Sequence, residues 1–253
     1  MASTKQKKKF SKIMLLHYWK FFYRSLLFIT ATVVYIINRV NNTGFLFGGY
    51  EEKPLLLAVI WCIYVIEMLL RFLPSSFESM GCQKQFSKNY RPPKKDEQCP
   101  RLLPWPRVLS VVIFWVLLNG LIGYLYHIRL FDAGILILIS LAYAVCDMIC
   151  ILFFCPFQTW FMKNRCCTTC RIYNWDFAMM FTPLTFIDNI FSQTLVLISI
   201  LLLIRWEYAL YRHPQWFSET TNQSLSCAMC QEKLCHHKTQ LKGFWKSQKE
   251  RLF

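Results

Sequence analysis

The chain has 253 residues and a formal net charge of +15, with 55% hydrophobic, 17% aromatic and only 17% charged side chains. A soluble domain of this length carries more charge and interleaves its apolar residues with polar ones. Here they stand in long uncharged blocks between basic loops, the pattern of an all-α polytopic helical membrane protein in contact with the lipid bilayer. The positive charge does not call for nucleic acid, because the cations flank the apolar blocks, where the positive-inside rule already places them.

Residues 1–24 read as a basic N-terminal tail and an interfacial segment. Lys5, Lys7, Lys8 and Lys9 lead into Leu15–Tyr23, an aromatic stretch interrupted by His17 and Lys20 and followed by Arg24. That stretch either lies in the headgroup layer or is the snorkelling end of one long helix. No small-residue cleavage motif follows it, so a cleavable signal peptide is not expected.

Residues 25–212 form the predicted transmembrane helical domain. The first span centres on Leu26–Ile37, extended at both ends to the ~20 residues a bilayer needs. A turn-rich loop from Asn41 to Gly49 follows, and Leu55–Leu73 gives a second span closed by Pro74. The loop 75–106 is polar, proline-rich and basic, and holds Cys82 and Cys99. Val108–Tyr126 is the third span, with Asn119, Gly120 and Gly123 offering a small-residue face. After a short turn the fourth, Ala133–Phe154, completes a hairpin.

The loop 156–174 is a polar hinge carrying Lys163, Asn164 and Arg165 and the thiols Cys166, Cys167 and Cys170. Beyond it the pattern predicts a short span or re-entrant segment near Trp175–Ile187 and a full span near Ile190–Tyr208. Asp188 and Asn189 are expected to cap the turn between them, and Arg205, Trp206 and Tyr208 to anchor the last helix at the interface. Four clear spans plus this C-terminal helical pair return the Cys/His-rich basic tail, 213–253, to the side of the N-terminus. Five spans with an external tail is the alternative, and Asn222-Gln223-Ser224 then becomes a glycosylation acceptor. The basic loops put the N-terminus, the hinge and the tail in the cytosol.

Twelve cysteines on a reducing face point to metal or redox chemistry rather than to disulfides. In the tail, Cys227-Ala228-Met229-Cys230 and then Cys235-His236-His237 have ligand spacing, since two thiols separated by two residues reach one tetrahedral metal. Cys167-Thr168-Thr169-Cys170, preceded by Cys166, has the same spacing. Hinge and tail are therefore candidates for a joint site for zinc or an iron–sulfur cluster, with Cys82 and Cys99 as possible additional ligands. A zinc that only staples the tail to the loops uses the same residues. No βαβ pattern supports a thioredoxin-like site.

Glu67 and Asp147 stand inside apolar runs, where a carboxylate must be paired, protonated or wet. Counting about 1.5 Å per helical residue, Glu67 lies about 10 Å from Pro74 and Asp147 about 14 Å from Pro156, at similar depth. Arg71, one turn from Glu67, is positioned to neutralise it. Asp147 has no cation nearby in sequence, but Cys146 and Cys150 stand one turn apart beside it as a potential polar seam. There is no phosphate-cradling loop, His-Glu-x-x-His helix or nucleophile elbow. The reading is a membrane protein with a cytosolic cysteine metal site, extending to electron transfer with a soluble redox partner. Its alternatives are a transporter or channel subunit with a zinc-stapled cap, and a non-catalytic scaffold for a cytosolic partner.

Overall fold

The computed structural model describes residues 12–41, 55–74, 83–93, 99–164, 166, 169–230, 235 and 238. In chain order the α-helices are α1 (Lys12–Val40), α2 (Leu55–Phe72), α3 (Trp105–His127), α4 (Ala133–Leu152), α5 (Asp176–Phe181) and α6 (Ile190–Arg212), and no strand occurs among the described residues. Among those residues α1, α3, α4 and α6 are long and apolar enough to cross a membrane. Chains this apolar become helical because a helix satisfies its own backbone groups where water is absent.

Local sequence sets the boundaries. Pro104 and Pro106 open α3, the latter near the first helical position, where a missing N–H costs nothing. Asp132 caps α4, its Oδ1 accepting from the Ile135 N–H at 2.9 Å, and Asn189 caps α6, its Oδ1 accepting from the Phe191 N–H at 2.7 Å. Asp188, expected to share that role, accepts from the Gln193 amide instead. His213 caps the end of α6 and Pro214 opens the 3₁₀ turn that follows.

The first helix is one unbroken rod from Lys12, so Leu15–Tyr23 belongs to the same helix as the apolar run Leu26–Ile37 rather than to a separate segment. Met14, His17, Arg24 and Ala31 make its buried seam, at the seven- and three-residue spacing of a helix face. Leu15, Trp19, Phe22, Leu26, Ile29 and Val33 lie exposed on the other side, the composition of a lipid-facing surface. The seam packs along α4, with Tyr18 and Phe21 against Phe153 at one end and the Tyr35 hydroxyl donating to Asp132 at the other.

The centre of the bundle is filled by a short element. Between hinge and α6, α5 and a five-residue 3₁₀ helix (Thr182–Phe186) insert among α3, α4 and α6. Phe177, Met180, Phe181 and Leu184 are buried there, and the Phe181 ring meets Tyr64 of α2 edge-on at 5.2 Å. At its far end the Phe186 ring lies over Gly123, which has no Cβ to obstruct it.

Loop, hinge and tail assemble at one end of the bundle. Asn222 is fully buried and donates to the carbonyls of Lys84 and Trp216, at 3.0 and 2.8 Å. The Gln223 N–H donates to the Arg91 carbonyl, the Ser218 hydroxyl accepts from the Arg101 N–H, and Asn174 of the hinge region donates to Gln85. Asn222 therefore acts as a structural hub, and its amide is inaccessible to glycosylation as it stands. The interfacial anchor expected at the end of α6 is also revised: Trp206 is buried against Phe86 and Phe217, and Arg205 stacks on Phe72 and Phe86, leaving Tyr208 exposed. Packing against the docked tail outweighs the headgroup preference of these side chains.

Candidate functional site

The two carboxylates singled out in the apolar runs meet at one guanidinium. Arg24 donates from Nη2 to Glu67 at 2.5 Å and from Nη1 to Asp147 at 3.0 Å, and also reaches the Ala144 carbonyl. Arg24 itself is 1% exposed. A residue expected to flank the first span thus points into the interior, because two anions from α2 and α4 outweigh its preference for the headgroups. Arg71 makes a second bridge, reaching both carboxylate oxygens of Asp176, at 2.8 and 2.5 Å. Its guanidinium lies 4.8 Å from the Phe177 ring centre. Lys20 lies within electrostatic reach of Glu67, so three cations face three carboxylates and the cluster is close to neutral.

Asp147 and Asp176 present their open sides to a cavity of about 430 Å³ between α3, α4, the hinge and α5. Aromatic and aliphatic groups make most of its wall, among them Trp115, Tyr143, Phe154, Phe157, Met179 and Met180. Four thiols, Cys146, Cys150, Cys155 and Cys170, share it. Cys146 and Cys150, read from the sequence as a potential polar seam beside Asp147, both stand in this largely apolar wall.

The geometry of the mouth follows from Pro156. The residue before a proline avoids the helical region, so α4 stops at Leu152 and the chain turns back through Phe153 and Phe154. A single π-helical turn, Phe157–Phe161, follows. The reversal brings the Cys155 side chain into hydrogen bonding with Cys150. The Gln158 N–H donates to Cys155 Sγ at 3.3 Å. Hydrogen bonding from Cys150, then from the backbone N–H groups of Gln158 and Phe157, with the nearby charge of Lys238, lowers the Cys155 thiol to about 7. Lys238 donates from Nζ to the Cys150 carbonyl at 2.7 Å, tying the tail to the cavity mouth.

The hinge is a tight turn. Lys163 adopts a left-handed backbone, φ 48°, and Asn164 bonds the Thr169 hydroxyl and the Cys166 N–H. Of the predicted metal ligands, Cys166 and Cys227 are close enough to interact electrostatically, with Cys230 beside them. The Cys227 thiol is pushed up by desolvation, then by Glu219, Cys166 and Cys230. Hinge and tail thus share a face, as a joint site requires. Among the described residues, however, no group of three or more His, Cys, Asp or Glu side chains has the geometry to hold a metal ion. Cys99 lies on the same end, its carbonyl accepting from Thr220, and Cys170 faces the cavity. Cys82, Cys167, His236 and His237 lie outside the described residues.

Sequence reasoning did not single out Arg24, Asp176 or Cys155 as site residues. The available signal was Cys150-x₄-Cys155-Pro156, a thiol in the last turn of a helix followed by one held just before a proline. Comparison with protein-family models, with curated proteins and with solved structures finds no match.

Proposed function

We propose that this chain is an integral membrane protein that takes an uncharged, mainly apolar small molecule into the cavity beneath its hinge, as a transporter or binding subunit. Its hinge end faces the cytosol, and α5 with the following 3₁₀ turn is a re-entrant segment that supplies the cavity's inner wall. The observation that carries this reading is the cavity itself. About 430 Å³ falls within the size range of small-molecule sites, and an apolar wall with a few convergent polar groups is their usual composition. Both wall carboxylates are already bonded to arginines, so the site favours a neutral guest that donates a hydrogen bond over a cation seeking a free counter-charge.

The test uses protein in nanodiscs and the uncharged lipophilic fluorophore N-phenyl-1-naphthylamine. Saturable binding at one site per chain is expected, with loss of that site in Met180→Trp, which fills the cavity. Binding that does not saturate, or that survives Met180→Trp, overturns the proposal.

A metal-bearing cap is the second reading, supported by the approach of hinge Cys166 to tail Cys227. Bound as zinc it would staple the tail, and as an iron–sulfur centre it would extend the function to membrane electron transfer. Elemental analysis and an absorption spectrum of anaerobically purified protein decide it: neither zinc nor iron at stoichiometric level ends this reading.

A further inference from the structure

Four thiols line the cavity, and the side chains of Cys150 and Cys155 are within hydrogen-bonding reach of one another. Cys150 sits in the last turn of α4, and Cys155 is folded back onto it by the chain reversal before Pro156. Both are thiols, partly accessible rather than sealed in the core. Backbone N–H groups aim at the Cys155 sulfur, and the Lys238 ammonium stands at the same mouth; among the described residues no backbone N–H is found on the Cys150 sulfur. The pair is therefore asymmetric, with one sulfur stabilised as an anion and the other supplying a proton to it.

We propose that Cys150 and Cys155 are a redox-active dithiol in the cavity wall that reduces an uncharged small-molecule disulfide. This rests on the cavity admitting a small molecule. Cys155 is the attacking sulfur: its thiolate bonds to one sulfur of the incoming disulfide, whose S–S bond breaks and releases the first thiolate. Cys150 resolves the mixed disulfide. Its thiol proton passes to the departing sulfur while its own sulfur attacks Cys155 Sγ and expels the second half of the substrate. The substrate gains two electrons and leaves as one thiolate and one thiol, and the protein is left with a Cys150–Cys155 disulfide. The lowered Cys155 thiol fits this role, because a thiol titrating near ambient pH combines a large anionic fraction with good nucleophilicity.

The experiment treats reduced, full-length protein in nanodiscs at pH 7 with 4,4′-dithiodipyridine, which is uncharged, or with the dianionic 5,5′-dithiobis(2-nitrobenzoate). Bonded cysteines are then mapped by mass spectrometry of peptides alkylated before digestion. In the wild type a Cys150–Cys155 disulfide is expected, forming faster with the uncharged reagent. In Cys150→Ser the reaction stops with the pyridyl group on Cys155. In Cys155→Ser, Cys150 reacts on the order of tenfold more slowly than Cys155 does in the wild type. A pyridyl group that stays on Cys155 in the wild type, or a Cys146–Cys150 disulfide, overturns the proposal. If the 150–155 disulfide forms equally fast with both reagents and in Met180→Trp, the dithiol stands and the small-molecule cavity falls.

Discussion

One guanidinium on α1 neutralises carboxylates contributed by two other helices, and its removal leaves two anions beside apolar side chains. Breaking a buried ion pair from one side costs about 3–5 kcal/mol, far more than the net worth of the intact pair. Arg24→Met is therefore expected to destabilise the protein by about that amount in detergent thermal unfolding, and adding Glu67→Gln and Asp147→Asn to restore most of it. Arg24→Lys recovers less than the triple change, because a single ammonium does not span Glu67 and Asp147 as the two arms of the guanidinium do. A second expectation concerns Cys155. Its folded-state thiol is lowered, so the thiolate predominates above pH 7 and fades below it. Alkylation of Cys155 by iodoacetamide should rise with pH to half its maximum at about 7. Cys150→Ala removes the largest cause and moves that midpoint up toward the ordinary thiol value of about 8.5. Glu67 and Asp147 were legible in the sequence because a carboxylate inside an apolar run has few innocent explanations. Arg24 was not, since a cation two residues before such a run reads as a flank, and only its partners on distant helices distinguish the two positions.

At the scale of helices, the length of uncharged runs located the long helices, of which α1, α3, α4 and α6 are long and apolar enough to cross a membrane among the described residues, whereas the three-residue face in α3 was only partly informative. Gly120 has nothing within 4 Å of where its Cβ would stand, so Gly120→Ala is expected to be neutral or stabilising by up to about 1 kcal/mol through helix propensity. Gly123 faces the Phe186 ring, with carbons 2.3 to 2.8 Å from the added methyl, but that ring is 39% exposed and can swing outward. Gly134 is the sterner case. Its Cβ would stand 2.6 Å from the Tyr35 ring, which is held by its hydroxyl on Asp132, the residue that also caps α4. Thermal unfolding should rank Gly134→Ala as the most damaging, at about 1–3 kcal/mol for an overpacked contact, with Gly123→Ala below it. Equal melting temperatures for the three would show that α1 and α4 do not meet as closely as described. The sequence contains these glycines but not their partners, and the insertion of α5 and its 3₁₀ turn into the bundle centre depends on shape complementarity that hydropathy does not encode.

Over the whole molecule the charges separate by end. Lys84, Lys88, Arg91, Arg101, Arg107, Lys163 and Arg171 gather with the docked tail and the start of α1, whereas the opposite end has Arg39, paired with Asp132, and Arg129 among the described residues. That asymmetry was readable from the loops, and the proposal that the hinge end faces the cytosol rests on it through the positive-inside rule. What the loops did not reveal is that Asn222, which fits an acceptor motif, is the residue that pins the tail to the loop on that end. The orientation decides the chemistry, because Cys150, Cys155, Cys166 and Cys227 remain thiols only on a reducing side. Cys227 is exposed, and it should resist a membrane-impermeant maleimide in intact cells and react once they are permeabilised. Lys12→Cys should behave in the same way, since α1 begins at the hinge end, and Arg129→Cys should be labelled from outside without permeabilisation. The reverse pattern at all three positions would invert the bundle and place the cavity mouth in an oxidising compartment, where the Cys150–Cys155 pair would rest as a disulfide. Labelling of Lys12→Cys and Cys227 from opposite sides would be more serious, because the tail could then not reach the Lys84, Arg91 and Cys150 carbonyls at one end of one bundle.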